Sequence, residues 1–241
     1  MTRGRSRYRR TAAVVGAVTL LLTTLVACVP AFLSGSRYQA IPATGAFHGT
    51  AALFVSGDAG LRFGMGKPVV RALAAQGIPV VGINSPSAFG VTRTREQVDA
   101  VLADGIRRAL ATPGTQRLLL IGQSFGADML SVAAPDLPVD LRRHVAAVVL
   151  VVPARTAYFR SDPLGLAYHR APDARPAAGM RTLDWAPVVC IQGAAESDSL
   201  CPLVSGPRVA SIALPGGHFL NHDDARLIGT ILSQLARLGI A

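Results

Sequence analysis

A serine in a glycine-framed turn is the residue of this sequence best suited to nucleophilic chemistry. Ser124 lies in Gly122-Gln123-Ser124-Phe125-Gly126, directly after an apolar run at residues 118–121 and at the start of a helical pattern. A Gly-x-Ser-x-Gly motif in this strand–turn–helix context exposes a nucleophilic hydroxyl. The amide of Phe125 could then donate a hydrogen bond to a developing oxyanion. The alternative is a tight turn whose serine only caps the helix.

A serine nucleophile needs a base, and His218 lies where that base is expected. It follows the last predicted strand, residues 210–214, and precedes the terminal helical pattern at residues 223–238. Hydrolases with this motif carry their triad in the chain order serine, acid, histidine. His222 is the competing base, because it lies only four residues further on. A surface or helix-capping role is the simpler interpretation of His222.

Two carboxylates compete to be the acid that orients this histidine. Glu196 and Asp198 both follow the penultimate predicted strand, residues 187–191. Either could accept a hydrogen bond from the imidazole and stabilise its charged form. Asp198 is preferred, since an aspartate followed four residues later by a proline, here Pro202, resembles the commoner hydrolase arrangement. Glu196 is the alternative.

The loop after the first strong strand could complete an oxyanion hole. Ser56-Gly57-Asp58-Ala59-Gly60 follows the apolar run at residues 51–55. In hydrolases of this kind a loop in this place supplies a second oxyanion amide, so Asp58 and Ala59 are the candidate donors. A plain glycine-rich turn is the alternative. The loop lacks the Gly-Lys-Ser/Thr ending of a phosphate-binding loop, and no cofactor is expected.

Asp128 is a second acidic residue close to the proposed nucleophile. It lies one helical turn after Ser124. The simplest interpretation is a favourable partner for the helix dipole. The functional hypothesis is that Asp58 and Asp128 together favour a cationic group of the substrate, such as the amine of an aminoacyl ester.

The elements that must position these residues alternate between apolar strands and amphipathic helices. Predicted strands occupy residues 51–55, 78–83, 118–121, 145–152, 187–191 and 210–214, and predicted helices occupy 68–76, 96–111, 124–132 and 223–238. Continuous apolar strands alternating with helices predict an α/β fold, with a mostly parallel sheet between two helical layers. Ligands then bind at the carboxyl ends of the strands. Residues 154–186 lose this rhythm and are expected to form a cap or a long loop over the site.

The N-terminus has the layout of an export signal. Five arginines lie within the first ten residues, followed by an apolar run at residues 11–27. Residues 1–28 are predicted to be a signal peptide, 29–47 a linker and 48–241 the hydrolase domain. Leu25-Val26-Ala27-Cys28 resembles a lipobox, which would make Cys28 a lipidated anchor. A cleaved soluble form and an uncleaved anchor remain alternatives, and all three place the domain in the periplasm.

Charge and cysteine content exclude other classes of protein. The net charge of +10 falls to about +5 without the N-terminal arginines, and no basic run interleaved with aromatic residues follows, so nucleic acid is not an expected partner. In an oxidising compartment Cys190 and Cys201 are expected to form a disulfide, with two buried free thiols as the alternative. No Cys or His pair at zinc-ligand spacing lies near them, so no metal is expected.

Taken together, four blocks resemble the VirJ/AcvB family of bacterial virulence-associated proteins, from about residue 48 to the C-terminus. They are Ser56-Gly57-Asp58, Gly122-Gln123-Ser124-Phe125-Gly126-Ala127-Asp128, Glu196-Ser197-Asp198-Ser199-Leu200-Cys201, and Leu214-Pro215-Gly216-Gly217-His218-Phe219.

The resemblance implies a periplasmic α/β-hydrolase with Ser124, Asp198 and His218 as its triad and Cys190 paired with Cys201. Family members are linked to type IV secretion, and AcvB-like proteins to hydrolysis of lysyl-phosphatidylglycerol. The expected substrate is therefore a membrane-derived aminoacyl ester or another small ester. The alternative is a non-enzymatic partner of a secretion or envelope complex.

This sequence departs from the family pattern in two of its blocks. Leu61 stands where a tryptophan is expected, Ala59 replaces a second glycine, and His218 is followed by Phe219 rather than by another histidine. These departures bear on substrate selection more than on the triad.

Overall fold

Seven strands form one sheet in the order β1-β3-β2-β4-β5-β6-β7, in a computed structural model that describes residues 35–240 and positions 14, 16 and 19. All neighbouring strands are parallel except β1, which is antiparallel to β3. The strands are β1 Tyr38–Ile41, β2 Thr50–Val55, β3 Val80–Ile83, β4 Arg117–Gln123, β5 Val145–Val151, β6 Val188–Gly193 and β7 Val209–Leu214.

Seven α-helices accompany the sheet in the described part of the chain. They are α1 Gly66–Ala75, α2 Ser85–Phe89, α3 Arg95–Leu110, α4 Phe125–Ala133, α5 Val139–Arg142, α6 Ala177–Thr182 and α7 Asp224–Arg237. Helix α3 begins where a capping box forms, because the Thr94 side chain accepts from the amide of Gln97 while Gln97 bonds back to Thr94. The four long helices lie where the sequence predicts them, within a few residues.

The core has two halves because the strands are apolar on both faces. Leu118 and Leu120 of β4 pack in one half with α3 and α4. Leu119 and Ile121, their neighbours along the same strand, pack in the other half with α1 and α7. Successive strand side chains point to opposite faces, so an uninterrupted apolar strand requires a helical layer on each side. The predicted three-layer α/β architecture is therefore confirmed.

The predicted linker is partly wrong. Residues 38–41 lie within the predicted 29–47 linker, yet they form β1, which pairs with β3 from Tyr38 opposite Ile83 to Ile41 opposite Val80. The strand has only four residues and lies at the sheet edge. It is too short to show a clear alternation of apolar and polar residues, and its pairing with β3 is what defines it as a strand. The compact unit that contains the sheet begins at Ser36.

The export segment lies almost entirely outside the described residues. Residues 1–28, including the lipidation candidate Cys28, belong there apart from positions 14, 16 and 19. Among the residues that the structure describes, no helix is long and apolar enough to cross a bilayer.

Candidate active site

Ser124 lies in a strained turn between β4 and α4. Its backbone has φ 52° and ψ −125°, which is rare for a residue with a side chain. Its amide donates to the Val151 carbonyl at 2.8 Å, which ties the turn to the end of β5. The conformation turns the chain abruptly from strand to helix, as a nucleophile elbow requires.

The glycines on either side of Ser124 permit this turn. A Cβ on Gly122 would lie 2.5 Å from the Gly126 carbonyl oxygen, and one on Gly126 would lie 2.1 Å from the Val55 carbonyl oxygen. Both contacts are with backbone, so no side chain could move aside. Strand β4, helix α4 and the end of β2 can approach this closely only because Gly122 and Gly126 have no side chains.

Ser124 and His218 are joined by a hydrogen bond. The Ser124 Oγ to His218 Nε2 distance is 2.7 Å. His218 lies on the loop between β7 and α7, and β7 ends at the same edge of the sheet as β4. The sequence predicts both residues and their proximity, and the structure brings them together at nucleophile–base distance. His222 is exposed and stacks on the Phe219 ring.

The carboxylate beside His218 belongs to Glu196, and the preference for Asp198 is corrected. Glu196 Oε1 lies 2.7 Å from His218 Nδ1, and Glu196 Oε2 accepts from the Gly193 amide at 2.9 Å. One carboxylate therefore bridges the end of β6 and the imidazole. Ser124, His218 and Glu196 therefore form a continuous hydrogen-bonded chain, which we call the relay.

Asp198 is exposed and pairs with Arg155 instead. Arg155 Nε lies 3.0 Å from Asp198 Oδ1, and the Arg155 amide donates to the Asp198 carbonyl at 2.9 Å. An antiparallel bridge between Ala154 and Ser199 fixes the same segment. These backbone contacts direct the Asp198 side chain to Arg155.

Glu196 is held ionised. Burial opposes its charge, but the hydrogen bonds from His218 and from the Gly193 amide outweigh burial and lower its pKa. Its stabilisation of the fold is thus present above the ordinary pKa of a glutamate and is lost as the pH falls through the lowered value. At neutral pH the anion can stabilise an imidazolium on His218.

Two stretches of backbone lie beside Ser124 as possible oxyanion donors. Phe125 is the first residue of α4, where a backbone amide has no intrahelical acceptor. The loop of residues 56–60 approaches Ser124 so closely that a Cβ on Gly57 would lie 3.4 Å from the Ser124 Cβ. Asp58 lines the cavity at Ser124, and Ala59 lines a second cavity that also reaches Ser124. The amides of Phe125, Asp58 and Ala59 are therefore the oxyanion candidates.

The loop that carries Glu196 is flanked by paired cysteines. Cys190 in β6 and Cys201 in the 3₁₀ helix Cys201–Leu203 are fully buried and lie in disulfide geometry, with their Cα atoms 5.5 Å apart. A covalent link here would tie the loop of residues 194–200, which carries Glu196 and which we call the acid loop, to strand β6. Such a link limits how far Glu196 can drift from His218.

The carboxylate of Asp58 is held by the segment of residues 154–186. Tyr168 Oη donates to it at 2.7 Å, Ser161 Oγ donates at 2.9 Å, and the Asp162 amide donates at 2.9 Å. Burial raises the pKa of Asp58, and these donors partly offset that effect. Burial and the Asp58 charge also raise the pKa of Tyr168, so its hydroxyl remains a donor.

Asp128 has fewer protein partners than Asp58. One of its oxygens accepts from the Ala154 amide at 2.7 Å. Burial raises its pKa well above the ordinary value, and the negative charges of Asp58, Asp198 and Glu196 raise it further, against the lowering by the Ala154 amide. A carboxylate in this position would gain from a cation placed beside it.

A cavity of about 360 Å³, which we call the acidic lobe, brings these groups together. It is lined by Ser124 and His218 with the carboxylates of Asp58, Asp128, Glu196 and Asp198. No Lys or Arg is among its described lining residues. Within the described chain no cluster of three or more His, Cys, Asp or Glu side chains could hold a metal ion.

Sequence reasoning missed the residues that the cap contributes. Ala154, Thr156, Tyr158 and Tyr168 line the acidic lobe from a segment without helical or strand periodicity. Two of the four tyrosines of the sequence lie in this segment, and they were the available signal. This signal does not predict which tyrosine reaches Asp58, because that contact joins residues 110 positions apart.

The parallel sheet, the strained serine turn and the serine–histidine–carboxylate relay together define an α/β-hydrolase fold. The chain belongs to the VirJ family of bacterial virulence proteins, whose family model matches residues 49–238. No curated protein matches the chain.

Solved structures give the same fold at low sequence identity. An α/β serine hydrolase homologue from Coxiella burnetii matches with TM-score 0.61 and 15% identity, covering 82% of this chain and 90% of the other. An esterase domain from Rhodothermus marinus matches with TM-score 0.58 and 17% identity, covering 83% and 91%. A serine hydrolase without a lid from Xanthomonas campestris matches with TM-score 0.58 and 18% identity, covering 83% and 88%.

Proposed function

We propose that this chain is an exported serine hydrolase of carboxylic esters, with Ser124 as nucleophile, His218 as base and Glu196 as the orienting acid. The observation that carries the proposal is the relay of 2.7 Å contacts from Ser124 through His218 to Glu196. A structural role alone would not require a strained serine, a histidine and a partly buried carboxylate in this order.

The mechanism follows from the geometry. His218 Nε2 takes the proton of Ser124 Oγ as the oxygen attacks the ester carbonyl, and the Phe125 and residue 58–59 amides stabilise the oxyanion. The tetrahedral intermediate collapses to an acyl-serine, and the alcohol leaves with the proton from His218. Water then attacks the acyl-serine with His218 again as base, which releases the acid and restores Ser124.

Labelling with a fluorophosphonate probe tests this proposal directly. The purified domain is expected to be labelled, and Ser124→Ala is expected to abolish labelling, because only an activated serine displaces the leaving group. A known serine hydrolase in the same reaction serves as the control for the probe. An unlabelled wild-type protein beside a labelled control would instead favour a non-enzymatic partner of a secretion or envelope complex.

We further propose that the substrate is an aminoacyl ester derived from a membrane lipid, such as lysyl-phosphatidylglycerol. The acidic lobe supports this class, because four carboxylates line the space beside Ser124 and the guanidinium of Arg155 pairs with only one of them, Asp198. A cationic acyl group would offset the repulsion among these carboxylates. Asp128 is the principal candidate for contact with the cation, since the Asp58 carboxylate is already held by Tyr168 and Ser161.

Neutralising Asp128 is expected to reduce the preference for a cationic substrate. Asp128→Asn should lower the ratio of kcat/KM for Nα-acetyl-lysine methyl ester to that for Nα-acetyl-norleucine methyl ester, which lacks the ε-ammonium group and is neutral, by about tenfold, as expected for one partly buried charge contact. Esterase assays with both substrates measure this ratio.

The matched control for Asp128→Asn is Asp140→Asn, an equal charge change at an exposed position of α5. It is expected to leave the ratio unchanged. An unchanged ratio in Asp128→Asn, or an equal fall in both variants, would contradict recognition of the cation by Asp128.

We propose that the protein is exported, lipidated at Cys28 and bridged by a disulfide between Cys190 and Cys201. The predicted signal peptide supports a periplasmic domain, and Cys28 in its lipobox-like context supports attachment to the membrane that supplies the ester. The disulfide between Cys190 and Cys201 is proposed for the exported protein, where the compartment is oxidising.

A further inference from the structure

A second cavity, of about 600 Å³, also reaches Ser124 and His218. We call it the apolar lobe, because Phe63, Met65, Leu164 and Phe219 contribute to its lining. Four residues are shared with the acidic lobe: Asp58, Ser124, Tyr168 and His218. The two lobes therefore meet at the proposed nucleophile and base.

The apolar lobe is bordered by large side chains that the fold leaves in solvent. Leu164 is 77% exposed, and Phe63 and Phe219 are each 62% exposed. They come from three separate segments: the loop before α1, the cap, and the loop after β7. Exposed apolar side chains that converge on one cavity from distant parts of the chain are typical of a binding surface.

Two of the carboxylates that line this lobe are already engaged by the protein. Asp162 accepts from the Leu164 amide at 3.0 Å and from the Ala167 amide at 2.7 Å, which fixes the loop that presents Leu164. Asp58 is held by Tyr168 and Ser161. A third, Asp224, lies in the first turn of α7, where a negative charge favours the helix dipole. These carboxylates have roles within the fold, so they do not make the lobe a second cation site.

We infer that the apolar lobe binds the hydrocarbon part of the alcohol half of the ester, while the acidic lobe receives its cationic acyl half. This inference rests on the proposed esterase function. The reasoning is geometric, because the scissile carbonyl must lie at Ser124, where the lobes meet. If a cationic acyl group occupies the acidic lobe, the apolar lobe is a second cavity that reaches Ser124 and can receive the alcohol half.

A series of lysine methyl, butyl and octyl esters, used at concentrations where each is monomeric, tests this inference. For the wild-type protein kcat/KM is expected to rise by about tenfold or more from methyl to octyl, since each fully buried methylene strengthens apolar binding by about fourfold. Leu164→Ser and Phe63→Ser should each reduce the octyl-to-methyl ratio of kcat/KM to about threefold or less, because the octyl group of the ester loses an apolar contact with the protein.

The control variant is Val139→Ser, since Val139 is 65% exposed on α5 and does not line the apolar lobe. It is expected to keep the wild-type ratio. Thermal unfolding checks that all variants are folded.

Three outcomes would overturn the inference, and they distinguish failure of the apolar lobe from failure of the esterase function. A wild-type protein that reacts with the fluorophosphonate probe and cleaves all three esters at one rate would overturn the apolar lobe as a chain site while leaving the esterase function intact. An equal fall of the octyl-to-methyl ratio in Val139→Ser and in Leu164→Ser would also overturn the apolar lobe as the binding site of the alkyl chain. A protein that neither reacts with the probe nor cleaves any ester would overturn the proposed function, and the inference with it.

Discussion

Replacing Glu196 with Gln is expected to lower kcat for ester hydrolysis by about 10³–10⁴-fold. The reason is that Gln cannot stabilise an imidazolium on His218 and can present its amide to Nδ1, which favours the wrong tautomer. The lost contact is the 2.7 Å pairing of Glu196 Oε1 with His218 Nδ1. Steady-state kinetics on a soluble ester, with fluorophosphonate labelling rates in parallel, measure the effect.

Asp198→Asn is the matched control, because it changes the same charge two residues away. It should alter kcat by only a few-fold, since Asp198 is exposed and pairs with Arg155 rather than with His218. A large loss in Asp198→Asn together with a mild effect in Glu196→Gln would restore Asp198 as the acid. Such a result would require the acid loop to rearrange in the active protein.

Adding one methyl group at Gly126 is expected to destabilise the fold by about 3 kcal/mol or more. The Cβ of Gly126→Ala would lie 2.1 Å from the Val55 carbonyl oxygen and 2.6 Å from that of Ser56. Both are backbone atoms at the end of β2, so the clash can be relieved only by separating α4 from the sheet. This separation would also move the loop of residues 56–60 away from Ser124. Urea unfolding and probe labelling should therefore both show a loss.

Gly229→Ala provides a control with the opposite sign. Gly229 lies in α7, and no atom comes within 4 Å of the position that its Cβ would occupy. Alanine there should stabilise the protein by about 0.5–1 kcal/mol, because a helix interior favours alanine over glycine. Wild-type stability in Gly126→Ala would show that the α4–β2 approach is looser than these distances indicate.

Strand–helix alternation was sufficient to predict most of the fold. The strands β2, β4 and β6, which precede Asp58, Ser124 and Glu196, are buried on both faces, so their apolar runs are continuous and easily recognised. The exception is β1, since Tyr38–Ile41 is a short edge strand in a segment rich in turn-forming residues. Its pairing with β3 is a long-range contact that no local pattern reveals.

The sequence by itself determined which residues could be the nucleophile and the base. Ser124 directly follows β4, His218 lies in the loop that follows β7, and the carboxyl ends of parallel strands meet at one edge of the sheet. Their meeting at 2.7 Å thus follows from topology and from the glycines around Ser124.

Only the tertiary structure decided which carboxylate meets His218 and what Asp58 does. Glu196 and Asp198 are two residues apart and chemically equivalent as acids, so local sequence cannot separate them. Contacts with the distant segment of residues 153–155 set the loop conformation, which directs Asp198 to Arg155 and leaves Glu196 beside His218. In the same way, the hydroxyls of Tyr168 and Ser161, more than 100 residues away in the sequence, donate hydrogen bonds to the Asp58 carboxylate. Side-chain direction in loops depends on such non-local contacts, whereas the positions of most strands and of the serine turn can be recognised from the local sequence.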